Sequence, residues 1–356
     1  MQAYQIVVIL YGILVAQETS QSSVNQVEFD SRYARFMAGS TLDTKRQHII
    51  LYGGRDLSKA KTCDDLIIFS ISNNTWSRIE TDGDTPGALF GPAITYDEGT
   101  DSIFLFGGWP AEQTKPTADL WKLTLNSPKP KWTNLSPEGK RPKGRNGHVF
   151  VADSSKNRLL LHSGDRGTHP KYGFLPGKDL WEYDDRDNEW RKLEPTGDVP
   201  GPRWNHSGAL DARGRRLFVY GGAGYEDDRA VIDQDIFCLD LDNLRWKRLS
   251  TKGKKPPPLQ GATLTLNNDR NKLMLVGGLS LAPNGVPGLQ AIMCYDIEAE
   301  AWEQIGKLET TRHGHAATAD SQFNHIHILG GETTKERGNF LIRGTPLANR
   351  VVIDFP

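Results

Sequence analysis

The chain has 356 residues, 37% hydrophobic and 24% charged, with a formal net charge of -1. Its 43 Lys and Arg are matched by 44 Asp and Glu, so it lacks the basic surplus of a phosphate-backbone binder, and nucleic acid is excluded as a general partner. The three cysteines, Cys63, Cys238 and Cys294, are too few for a disulfide framework.

In chain order, the first feature is an uncharged apolar run at residues 6–16, followed at once by polar residues 17–23. The run is too short to span a bilayer and has the length of a secretory signal core. Residues 1–16 are therefore expected to be a signal peptide cleaved after Ala16, making the protein secreted and not stably inserted in a membrane. An uncleaved anchor or a buried strand is the alternative. Asn73, Asn134 and Asn205 each open a glycosylation acceptor triplet, which is compatible with secretion.

From residue 49 onward one phrase recurs: Ile49-Ile50-Leu51-Tyr52-Gly53-Gly54, then Ile103 to Gly108, Leu217 to Gly222, Leu273 to Gly278 and Ile326 to Gly331. A degenerate copy, Leu159-Leu160-Leu161-His162-Ser163-Gly164, fills the remaining place in the series. The steps between pairs are 54, 56, 58, 56 and 53 residues. Trp76, Trp132, Trp190, Trp246 and Trp302 keep the same phase, and phrases such as Asp119-Leu120-Trp121 lie between. Short apolar runs divided by turn residues read as strands, four to a unit. The glycines suit a turn where backbones come close, and the tryptophans a plate that packs one sheet on the next.

A period near 50 residues with four strands per unit resembles the kelch repeat. The resemblance implies an all-β fold, a six-bladed β-propeller of four-stranded antiparallel blades. The blades fall at about 32–82, 85–136, 142–195, 200–251, 256–306 and 309–356. The last unit ends at its third strand, leaving residues 24–29 of the N-terminal segment 17–31 to supply the missing outer strand and lock the ring.

Strand alternation puts short polar hairpins on one face. The opposite face carries the long, dissimilar links 165–178, 223–234 and 332–348, the last including Lys335, Arg337, Phe340 and Arg343. That face also receives the entries to the inner strands, with Arg35, Leu89, Arg145, Arg203, Leu259 and Arg312 at equivalent places. Arginine forks suit carboxylate or phosphate, and interleaved aromatics add apolar area. Arg35, Phe36, Phe90, Arg145, Arg203, Trp204, Arg312 and His313 are thus the expected ligand-binding residues at the mouth of the central channel. The same arginines, with His148, His206 and His315, read equally as repeat residues that staple blades together.

Catalytic constellations are weak. Cys238 and Cys294 lie in third strands, unlike the copper site of galactose oxidase, a protein that carries kelch repeats, and look like small buried apolar residues. The Glu-Asp-His spacing of the iron-holding plant specifier proteins fails, because Asp165 and His169 are four apart but the residue four before Asp165 is Leu161. His313 and His315 are read as a poor metal pair. No cofactor or metal is expected. The leading reading is a monomeric, secreted binding module for a protein or small anionic ligand. The alternative is an enzyme or metal-assisted catalyst at the channel mouth, with Arg145, Arg203, Trp204 and His169 as its residues.

Overall fold

The computed structural model describes residues 24–28, 31–127, 129–171, 173–226, 229–267, 269–280, 288–320, 325–337, 340–347 and 349–354. The expected signal segment 1–16, Tyr172, Asp227 and Asp228 lie outside the described residues. Six antiparallel sheets form a ring. The first blade contains Gly39–Asp43, His48–Tyr52, Leu66–Ser70 and Thr75–Ile79, in that order from the axis outward. Four further blades repeat the pattern, and their inner strands pack side by side around the axis.

Each second strand is a continuous apolar run because both of its faces are covered by neighbouring blades. Ile103, Phe104, Leu105 and Phe106 are all fully buried. The outer-strand tryptophans pack as the sequence implies: Trp132 meets Tyr52 of the preceding blade at 5.4 Å, and Trp190 meets Phe106 at 5.4 Å. Trp302 meets Tyr220 in the same way, whereas Trp76 stacks on Tyr33.

The ring closes as expected. Val24–Glu28 pairs antiparallel with Asn349–Asp354, register Val24 to Ile353, and becomes the outer strand of the last blade. Two blades gain a fifth short strand, because Thr196–Gly197 and Lys252–Gly253 run parallel to the outer strands of the blades they lead into. These links cover edges that would otherwise stand open.

The glycine pairs are explained by contacts between blades. The second glycine donates its N–H to the carbonyl that opens the next blade, as in Gly108 to Arg145 (2.8 Å) and Gly331 to Arg35 (2.8 Å). The first glycine passes so close that a Cβ on Gly107, at φ +69°, would sit 2.3 Å from the Arg145 oxygen. In the degenerate copy Ser163 takes this place at φ 58°, and its hydroxyl donates to the Gly177 carbonyl at 3.0 Å.

Candidate ligand-binding site

Three consecutive residues at each blade entry build the long-loop face. The first is the arginine position, and here the expectation of exposed forks is corrected. Arg35, Arg145, Arg203 and Arg312 are each 4% exposed or less. Arg145 grips Asp179 through two hydrogen bonds of 2.9 and 2.8 Å and donates to the Ser163 carbonyl at 2.6 Å. Arg35 does the same with Asp65, and Arg203 with Asp233 and the Gly221 carbonyl. Arg312 donates to the Gly330 carbonyl, and burial pushes its pKa down to about 10. Arg145 and Arg203 find both a carboxylate and a strand-end carbonyl on the same blade, Arg35 a carboxylate and Arg312 a strand-end carbonyl, so each guanidinium turns inward and away from the channel. The staples therefore act within a blade, joining its entry to its second and third strands. Burial alone would raise the Asp179 carboxyl, but the Arg145 guanidinium outweighs it and holds the group well below the usual carboxylate range.

The second position faces the opening. It reads Phe36, Phe90, Asn146, Trp204, Gln260 and His313, and all six line one cavity of about 570 Å³ at the channel mouth. Each is held by an antiparallel bridge to the residue that follows the turn after its own blade's second strand, for example Phe36 to Arg55, Trp204 to Ala223 and His313 to Glu332. Two aromatic groups result. Phe36 lies 6.0 Å from Phe90 and 5.4 Å edge-on from His313. Trp204 is stacked on Phe174 at 4.8 Å and approaches Tyr225 at 5.7 Å. Val231, Ile232 and Leu279 extend the apolar wall, and Phe174 and Leu175 are exposed at its rim. The buried Asp165 carboxylate also lines the cavity, accepting from Leu175 N at 2.8 Å, and burial raises its pKa.

The third position, Met37, Gly91, Gly147, Asn205, Gly261 and Gly314, has positive φ throughout. Its backbone groups bond from blade to blade, as in Met37 N to Gly314 O (2.8 Å) and Asn205 N to Gly147 O (2.8 Å). This ring separates the upper cavity from a narrower one of about 190 Å³ that contains His148, His206 and His315.

The sequence relationships agree with this architecture. The family model described as the KLHDC2/KLHL20/DRC7 Kelch-repeats domain matches residues 39–278 and 154–342. This chain belongs to the kelch-repeat family. It is similar to Kelch domain-containing protein 3 of Homo sapiens, 25% identical over 236 residues, 66% of this chain and 59% of that protein. It is also similar to acyl-CoA-binding domain-containing protein 4 of Arabidopsis thaliana, 28% identical over 289 residues, 78% of this chain and 39% of that one. A serine/threonine-protein phosphatase, BSL2 of Arabidopsis thaliana, is 29% identical over 208 residues, 56% of this chain and 19% of its own. The shared part is thus less than two thirds of each relative, and kelch propellers are in general protein-binding modules.

In this kelch propeller the long links are more ordered than the sequence implies. Ala223–Glu226 pairs with Arg229–Ile232, and Glu332–Arg337 with Phe340–Pro346, as two-stranded ribbons standing on the face. Their alternation was hidden among Gly, Asp and Arg residues. His169 lies in the 165–178 link, where its Nδ1 accepts from Lys171 N, and it is not among the cavity-lining residues. Two of the three channel histidines are stapled: His206 Nε2 lies 3.1 Å from His162 Nδ1, and His315 Nε2 lies 2.9 Å from the Thr263 hydroxyl, whereas neither ring nitrogen of His148 has a hydrogen-bond partner. Burial pushes the Cys238 and Cys294 thiols up to about 11 and about 12, as for inert core residues. Asn73 is exposed in a turn and Asn134 at the end of the strand Lys131–Asn134, whereas Asn205 belongs to the channel ring. Among the described residues no helix is long and apolar enough to cross a membrane.

Proposed function

We propose that this propeller is a binding module whose long-loop face captures an apolar, aromatic-bearing segment of a protein partner. The cavity walled by Phe36, Phe90, Phe174, Trp204 and Tyr225 carries the proposal, since its size and lining suit bulky side chains placed in a desolvated pocket. The small anionic ligand is the weaker form, because Arg35, Arg145 and Arg203 are engaged in ion pairs, Arg312 is bonded to the Gly330 carbonyl, and the cavity lining includes the Asp165 carboxylate. The channel-mouth catalyst gains no supporting arrangement, as Arg145, Arg203 and His169 do not converge on the cavity. The module acts as a monomer in the secretory pathway. Cleavage after Ala16 leaves the ring-closing strand Val24–Glu28 whole, and exposed Asn73 and Asn134 are open to glycosylation. N-terminal sequencing and glycosidase treatment of the native protein check that part.

The binding reading is tested with a displayed random-peptide library on the intact protein and on a Phe90→Ser/Phe174→Ser variant of matched thermal stability. Aromatic-rich peptides are expected on the intact protein and at least tenfold fewer on the variant. Equal enrichment on both, or enrichment of acidic peptides without aromatics, would overturn it.

A further inference from the structure

Away from the cavity, the turn face of the last blade holds a second cluster. Ala316–Asp320 and His325–Leu329 are antiparallel neighbours in which Asp320 stands directly opposite His325. His327 follows two residues later and so shares that face. Among the described residues this is the single group whose His, Cys, Asp or Glu ligand atoms converge, one from each residue, all within 4.8 Å of one another. We propose that Asp320, His325 and His327 bind a divalent transition-metal ion, with zinc the best match to two imidazole nitrogens and one carboxylate.

The repeat itself shows that His327 is out of place. The equivalent residues in the other blades are Ile50, Phe104, Leu160, Phe218 and Met274, all buried and apolar. His327 is only 2% exposed, and neither ring nitrogen has a hydrogen-bond partner. A polar ring so placed is costly unless something takes its lone pair. Its Nε2 lies 3.6 Å from Asp320 Oδ2, too long for a hydrogen bond. That gap is close to the ~3.4 Å between neighbouring ligands on a tetrahedral ion with bonds of ~2.0–2.1 Å.

The place of His325 varies between blades, and in the first blade it is also held by a histidine, His48 opposite Asp43. In two other blades its place is held by Arg158 and Arg216, which ion-pair with the turn aspartates Asp153 and Asp211. Relative to those two blades an imidazole replaces the guanidinium, so the residue opposite Asp320 offers a ring nitrogen as a ligand. Arg350 is stacked 4.6 Å over Phe69, whose ring is 6.4 Å from His327. A metal here would tie the two inner strands of the blade whose third strand, Asn349–Asp354, receives the ring-closing N-terminal strand. Three protein ligands leave a fourth position for water.

The test uses the tag-free full chain stripped with chelator, titrated with zinc by calorimetry and with cobalt(II) by visible absorption. The wild type is expected to bind one equivalent, to show a zinc-displaceable cobalt band and to gain thermal stability. His327→Leu inserts the residue found at Leu160 and keeps the fold, and His325→Arg inserts the residue found at Arg158 and Arg216. Each is expected to lose the cobalt band and at least tenfold in zinc affinity while retaining the wild-type circular dichroism. No zinc binding by the wild type, or unchanged zinc binding by His327→Leu, would overturn the assignment.

Discussion

Replacing Arg145 by leucine tests whether the entry arginines are staples or ligands. The side chain is fully buried, and its removal strips Asp179 of two charge-assisted hydrogen bonds and the Ser163 carbonyl of one. Removing one partner of a buried pair costs roughly 3–5 kcal/mol, because the other charge stays behind uncompensated. At about 2 °C per kcal/mol for a domain of this size, the melting temperature should fall by about 6–10 °C. Nature supplies the control within the same ring. The fifth blade carries Leu259 and Ala291 at the two places, and Leu259 is fully packed. The double variant Arg145→Leu/Asp179→Ala should therefore recover at least about 1.5 kcal/mol of the single-variant loss, the scale of coupling between contacting charges. Recovery is incomplete, since Trp181 Nε1 also donates to Asp179. The assay is chemical denaturation of the four members of the cycle. A single variant within about 1 kcal/mol of wild type, or a double variant that merely sums the two losses, would refute the staple reading.

Gly107→Ala should cost about 3 kcal/mol by denaturant melt, combining left-handed strain with a methyl group 2.3 Å from the Arg145 carbonyl that Gly108 needs. Burial pushes His148 and His162 down to about 3 and His206 well below its ordinary value, so these rings stay neutral in the folded state. The unfolded chain takes up their protons first. Stability is therefore complete above about pH 6.5 and is lost at up to about 1.4 kcal/mol per pH unit per ring as the pH falls toward 3, which melts taken across that window will read. Deleting residues 17–28 removes the partner of Asn349–Asp354 and uncovers buried Val351 and Ile353. It should lower the melting temperature and produce concentration-dependent aggregation, seen by light scattering, from the newly open edge.

The ring was legible because its signals are covalent in period: glycine pairs and tryptophans must recur wherever one blade meets the next. Even the degenerate Ser163 copy kept phase, since a serine can adopt the required φ when its hydroxyl finds a carbonyl. The site was legible in part. Phe36, Phe90, Trp204 and His313 were found because aromatics beside a repeat position stand out, while Arg35, Arg145, Arg203 and Arg312 were misdirected inward by partners that lie 18 to 34 residues away. Phe174 and Tyr225 lie on links whose path no local pattern specifies. The His325-x-His327 spacing was visible, but its meaning required knowing that Asp320 stands opposite.

The order of the three entry residues shows how one scaffold can carry many specificities. The first is fixed by an ion pair, a hydrogen bond to a strand-end carbonyl or an apolar packing substitute, and the third by its place in the backbone ring. Neither depends on what the second residue is, because the second is held through its own main chain to the strand-end bridge. Its side chain is thus free to vary, and here six blades present Phe, Phe, Asn, Trp, Gln and His to one cavity. The aromatic groups fall into two arcs, one around Phe36 and one around Trp204, separated by Asn146 on one side and Gln260 on the other. A ligand filling both arcs must cross the opening with polar atoms facing the two amides. An extended peptide with bulky side chains at its ends and its backbone between them meets that requirement, and a compact anion does not.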